Sequence, residues 1–127
     1  ESEISEALTT AALTLVTLND FGLMHGDFQV KNTGSDINGR PRIIDLTTIK
    51  KFRDTEDLSY DIMVYLESLT RFGTKLSPIS QQQFDDHFLH TYEKRVSDIF
   101  PEQRALEVKM AITAVRDSMD FLVGPRI

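Results

Sequence analysis

Asp27, Asn32 and Asp45 are the residues whose types and spacing could do chemistry in this chain. They stand in two short stretches, His25-Gly26-Asp27-Phe28-Gln29-Val30-Lys31-Asn32 and Ile43-Ile44-Asp45-Leu46. Asp27 follows an apolar helix and falls in a loop. Asn32 comes five residues later, near enough for a tight loop to fold it back beside Asp27. Between the stretches lies Asp36-Ile37-Asn38-Gly39-Arg40-Pro41, and Asn-Gly is a strong hairpin signal because both residue types tolerate positive φ. A hairpin there would return Asp45 to Asn32. Two carboxylates and one amide oxygen would then converge. These are hard oxygen ligands, suited to magnesium, which takes few protein ligands and completes its shell with water and phosphate oxygens. The carboxylate left over could accept a proton from an attacking hydroxyl.

The elements that must position these groups are mostly helical. Residues 2–21 predict a helix, with Ser2 as N-cap, Glu3 and Glu6 in its first turn, and Ile4, Leu8, Ala11, Leu15 and Leu18 at helical spacing. Leu13 and Val16 widen the apolar face, and Gly22 is the expected C-cap. Thr9, Thr10, Thr14 and Thr17 lower the intrinsic propensity, so packing must stabilise this helix. Phe28-Gln29-Val30 leads towards one strand of the hairpin and Arg42–Leu46 forms the other. Residues 55–72 predict a second helix on Leu58, Ile62, Tyr65, Leu66, Leu69 and Phe72, broken by Gly73 and Ser77-Pro78. Ser80 with Gln83 reads as the capping box of a third helix, cored by Phe84, Phe88, Tyr92, Val96 and Ile99. Pro101 opens a fourth, lined by Val108, Ile112, Val115, Met119 and Leu122 and ended by Gly124-Pro125. The fold class expected is mainly α, formally α+β: four main helices with a small β-hairpin carrying the informative loops, in one domain over residues 1–127.

On those residues the chain resembles the protein-kinase-like superfamily. His25-Gly26-Asp27 with Asn32, followed by Ile44-Asp45, is similar to that family's catalytic loop and metal-binding Asp. The His-Gly-Asp form resembles the aminoglycoside and choline phosphotransferase branch. Gln29, where protein kinases carry Lys, and Leu46-Thr47, in place of Phe-Gly, are departures in the same direction. The first helix resembles the one preceding the catalytic loop, and Tyr60-Asp61-Ile62 resembles the start of the family's central helix. The resemblance covers the chain as a C-terminal catalytic lobe, with its specific motifs in residues 25–61.

The resemblance implies a fold and a chemistry: a kinase-like C-lobe of an ATP- and Mg2+-dependent phosphotransferase, acting on a hydroxyl of a small molecule. Asp27 would orient the substrate hydroxyl and take its proton, with His25 bracing the loop. Asn32 and Asp45 would hold magnesium against the ATP phosphates, and Asp61 would support the loop through backbone hydrogen bonds. The 127 residues hold no Gly-x-Gly-x-x-Gly, no strand lysine ahead of the loop and no helix glutamate to pair with it. The N-terminal nucleotide-binding lobe is therefore expected outside this chain, which would be a fragment, inactive alone and open to self-association through exposed apolar surface.

Composition excludes several other classes. Lys and Arg number 14 against 20 Asp and Glu, a net charge of −6, so nucleic acid is not an expected partner. There is no cysteine, hence no disulfide framework, thiolate zinc site or cysteine nucleophile. No apolar run approaches membrane-span length and no signal peptide opens the sequence, so a cytoplasmic protein without membrane contact is expected. Asp85, Asp86, His87 and His90 read as a solvated face, and Lys50, Lys51 and Arg53 as a solvated basic loop. Two other readings stand beside the enzyme: a kinase-fold module without catalysis, and a helical interaction domain unrelated to kinases.

Overall fold

Leu8, Ala11, Ala12, Leu15, Val16 and Leu18 wind round one helix, and the rest of the chain packs to bury them. The computed structural model describes residues 2–35, 37–38, 41–69 and 78–123. Helix α1 spans Ser2–Asp20. Its threonines are accommodated by turning back on the helix: Thr14 Oγ1 donates to Thr10 O at 2.8 Å and Thr17 Oγ1 to Leu13 O at 2.9 Å. Gly22, at φ +80°, ends it and donates its amide to Asn19 O at 2.9 Å. The chain then swings back into β1 (Leu23–Met24).

Two antiparallel pairs follow. The hairpin joins β2 (Thr33–Ser35) to β3 (Pro41–Ile43), with Thr33 opposite Ile43 and Gly34 opposite Arg42. Its first strand begins at Thr33, past the Phe28–Val30 run that leads towards it, and is three residues long. Phe28 is fully buried, which pulls that segment into the core, and Val30–Asn32 coil into a 3-10 turn. The second strand also stops short, because Asp45 takes a left-handed backbone (φ 61°, ψ 84°) and Leu46–Thr48 form another 3-10 turn. Gly39, half of the hairpin signal, lies outside the described residues. A second pair, β1 with β4 (Lys50–Lys51), was not expected from the sequence.

Helix α2 spans Thr55–Ser68 and is capped by Asp54, whose carboxylate accepts Asp57 N at 3.0 Å. It ends at Ser68 with Leu69 as C-cap; Phe72, Gly73 and Ser77 of the expected helix end and break lie outside the described residues. Helix α3 (Pro78–Gln83), a widened π turn (Phe84–Leu89) and α4 (His90–Ile99) run on as one rod. The rod begins at Pro78, so Ser80 sits within the first turn and is not its cap. Helix α5 spans Glu102–Val123, entered through Pro101, whose carbonyl accepts Ala105 N at 2.9 Å. Gly124-Pro125 lies outside the described residues, as does the Leu122 side chain.

The π turn has a physical reason. Phe84, Phe88 and Tyr92 repeat strictly every four residues, and in a regular helix that spacing drifts about 40° per step. A widened turn takes up the drift. The three rings stay stacked, with centroids 4.9 Å apart for Phe84–Phe88 and 6.4 Å for Phe88–Tyr92. Tyr65 of α2 stacks on Phe88 at 5.0 Å and Phe28 meets Tyr65 at 5.4 Å, so an aromatic column runs from the rod to the loop after β1. Helix α1 packs on the π turn and α4, and α2 packs on α5. The fold is mainly helical, with two small two-stranded antiparallel sheets. Among the described residues, no helix is long and apolar enough to cross a membrane.

Candidate functional site

The segment from His25 to Asn32 is shaped by a buried carboxylate beneath it. Asp61, in α2 and fully buried, accepts His25 N on Oδ2 at 2.7 Å and Gly26 N on Oδ1 at 2.9 Å. Burial pushes its carboxyl above the ordinary carboxylate range, and the two amide hydrogen bonds oppose that push. Asp61 lies in the second turn of α2, not at its opening; Glu56 and Asp57 occupy the first turn. Gly26 takes φ +89°, and a Cβ there would stand 2.7 Å from Thr48 O. The turn therefore needs glycine twice over, for its backbone angle and for the close approach of the 46–48 turn.

His25 is fully buried and joins the two halves of the motif. Its Nδ1 accepts Asp27 N at 3.1 Å, so the ring proton belongs on Nε2, which lies 3.3 Å from Ile44 O. His25 thus links the Asp27 loop to the residue before Asp45.

Asp27 and Asn32 are brought together. Asn32 Nδ2 donates to Asp27 O at 2.8 Å and to Asp27 Oδ2 at 3.2 Å, while Gln29 Nε2 donates to Asp27 Oδ1 at 2.5 Å. Backbone bonds tighten the same loop: Gln29 N to Asp27 O at 2.8 Å and Asn32 N to Gln29 O at 2.9 Å. The nitrogen end of the Asn32 amide is engaged on Asp27. Ser68, at the end of α2, anchors the loop from behind by accepting Val30 N at 3.0 Å.

Asp45 is placed next to this pair through the backbone, since Ile44 N donates to Asn32 O at 2.8 Å. Its side chain is exposed and engaged elsewhere: Oδ1 accepts Thr47 Oγ1 at 2.6 Å and Thr47 N at 3.3 Å. Those two bonds, the hydroxyl first, hold its carboxyl below the ordinary range. Among non-glycine residues described, Asp45 alone has positive φ. A left-handed non-glycine residue costs roughly 1 kcal/mol and is concentrated at functional sites. Among the described residues, no group of three or more His, Asp or Glu gathers into a metal shell.

The remaining polar clusters have structural partners. Asp85 accepts Arg116 Nε at 2.8 Å and Asp86 accepts Gln82 Nε2 at 2.8 Å. Arg53 binds Asp57 through N at 2.8 Å and Nε at 3.1 Å, which holds the Asp57 carboxyl below the ordinary range. Lys50 and Lys51 form β4 and are exposed. A groove of about 560 Å³ lies between α1 and β3, lined in part by Leu13, Phe21, Arg42 and Ile43, and not by Asp27, Asn32 or Asp45. Sequence reasoning gave Gln29 no role beyond a departure from the kinase pattern, and overlooked Ser68. Neither carries a signal beyond being polar, and only the folded loop brings them into play. The sequence matches no protein-family model and no curated protein.

Proposed function

We propose that this chain is the kinase-like catalytic lobe of an ATP-dependent phosphotransferase acting on a hydroxyl, that of a small molecule. The observation that supports it best is the clamp of Asp61 on two successive amides, His25 and Gly26, which presents Asp27 with the Asn32 amide fixed on it. Asp27 orients the acceptor hydroxyl and takes its proton as the oxygen attacks the γ-phosphorus of ATP, whose bond to the bridging oxygen breaks to release ADP. Gln29 and Asn32 hold the Asp27 carboxylate in place for that task. His25 keeps the turn in register with Ile44 and Asp45. The donor set fits a hard divalent cation: Asn32 and Asp45 are the residues that would hold Mg2+, which when bound neutralises phosphate charge. The nucleotide's remaining contacts belong to a separate lobe.

The test is ATP consumption by the full protein that carries this lobe. Asp27→Ala and Asp45→Ala should each abolish turnover while the fold is kept. Turnover unchanged in either variant rejects the assignment. A second reading, the same fold as a module without catalysis, is favoured by one observation: Asp45 is engaged on Thr47. A full protein that binds its partners normally but neither binds Mg2+ nor consumes ATP would support that reading.

A further inference from the structure

We infer that Tyr92 and Asn19 form a buried brace that positions the His25–Asp27 turn. The importance of that turn rests on the function proposed above, whereas the brace itself stands on separate contacts. Tyr92 is fully buried at the end of the aromatic column, where a phenylalanine would serve the stacking equally well. Its hydroxyl is what a phenylalanine lacks, and a buried hydroxyl needs a partner. It donates to Asn19 Oδ1.

Asn19 is itself 2% exposed, in the last turn of α1, and its Nδ2 donates to Leu23 O at 2.9 Å. The planar amide thus has a fixed orientation, oxygen towards α4 and nitrogen towards β1. Leu23 is the first residue after the left-handed Gly22, and two residues before His25. The β1–β4 pair spans only Leu23–Lys51 and Met24–Lys50, too short a ladder to fix the strand by itself. The Phe52 amide adds one bond to Gly22 O at 3.1 Å, and side chains hold the segment at its two ends, Asn19 at Leu23 and Asp61 at His25 and Gly26. Burial pushes the Tyr92 hydroxyl well above its ordinary range, with the Asp61 charge adding to the push, so it remains a donor. Tyr92 and Asn19 are therefore positioning residues: they reach Asp27 through the strand and the turn.

The experiment is amide hydrogen exchange followed by NMR on the whole chain. Tyr92→Phe keeps the ring and removes only the donor. The expected result is exchange at His25 and Gly26 faster by about tenfold relative to Leu58 and Ile62 of α2, the effect of one buried hydrogen bond on a local opening. Phe88→Leu loosens the same column and should speed both sets by a common factor. A common factor in Tyr92→Phe too, or an unchanged ratio, overturns the brace. Should Tyr92→Phe fail to fold, the wild-type chain carries the test: the coupling across the hydrogen bond from Asn19 Nδ2 to the Leu23 carbonyl should be observed, and its absence overturns the brace. Titration of the wild type with Mg2+ reports separately on the functional reading, through shifts at Asn32 and Asp45. The brace stands or falls on the exchange ratio whatever that titration gives.

Discussion

Gly26 donates its amide to Asp61 Oδ1 at 2.9 Å, so a residue in the second turn of α2 sets the backbone of a loop far away in sequence. The neighbouring His25 amide meets the other oxygen of the same carboxylate at 2.7 Å. An asparagine offers one acceptor where the aspartate offers two, and turns an N–H towards a second N–H. Asp61→Asn should therefore leave one buried amide without a partner and cost about 1–3 kcal/mol. Urea denaturation measures the loss, and the amide resonances of His25 and Gly26 report its location. An unchanged midpoint with unmoved resonances contradicts the clamp.

Two glycines give a matched pair of outcomes. Gly26 combines φ +89° with a Cβ position 2.7 Å from Thr48 O, a backbone atom that cannot step aside. Gly26→Ala should destabilise by about 1–3 kcal/mol through strain and clash together. Gly34 has no heavy atom within 4 Å of its Cβ position and no positive φ. Gly34→Ala should be neutral or stabilising by up to about 1 kcal/mol, because it restricts the unfolded chain. Thermal melts of the two variants side by side check the contrast, and equal effects would contradict it.

The helices were legible in the sequence because burial on one face imposes a period of 3.6 on Leu8 through Leu18 and on Leu58 through Leu66. What periodicity cannot carry is a contact between single polar atoms in different elements. Asn19 sits at the end of α1 between Leu18 and Asp20 and gives no sign that its amide joins Tyr92 to Leu23. The β1–β4 pair is two residues long, below the length at which alternation exists. Asp27, Asn32 and Asp45 were legible as a spacing, and the fold sets Asp27 against Asn32. The direction of the Asp45 side chain was not legible, because it depends on a left-handed backbone and on the Thr47 hydroxyl two residues on.

Occupation by a divalent cation should be directly visible. Mn2+ added to the chain should broaden the resonances of Asn32 and Asp45 before those of the Asp85–Asp86 region, where Arg116 and Gln82 already engage the carboxylates. Asp45→Asn should weaken that broadening by at least about tenfold in apparent affinity, through the loss of a formal charge at the ion. Thr47→Val separates geometry from charge, since it removes the hydroxyl that orients Asp45 Oδ1 and leaves the carboxylate. Broadening centred on Asp85 and Asp86, or equal in the wild type and Asp45→Asn, removes the cation from the proposed site.

The acid limb of stability should depend on Asp57. Arg53 donates to it through side chain and backbone, and holds its carboxyl below the ordinary value of 3.8. As pH falls through that ordinary value, the unfolded chain takes up the proton first. Stability from this group is therefore full above about pH 4 and is lost as pH falls through the lowered folded value. Asp61 acts with the opposite sign: its raised carboxyl favours the fold at low pH, and that contribution is lost as pH rises through the folded value. Asp57→Asn removes the first effect and leaves the second. Urea midpoints measured between pH 2 and pH 6 should fall less steeply on the acid side in Asp57→Asn than in the wild type. Equal slopes would mean that the Arg53–Asp57 pair, whose Arg53 side chain is 76% exposed, is fully screened by solvent and contributes nothing to acid stability.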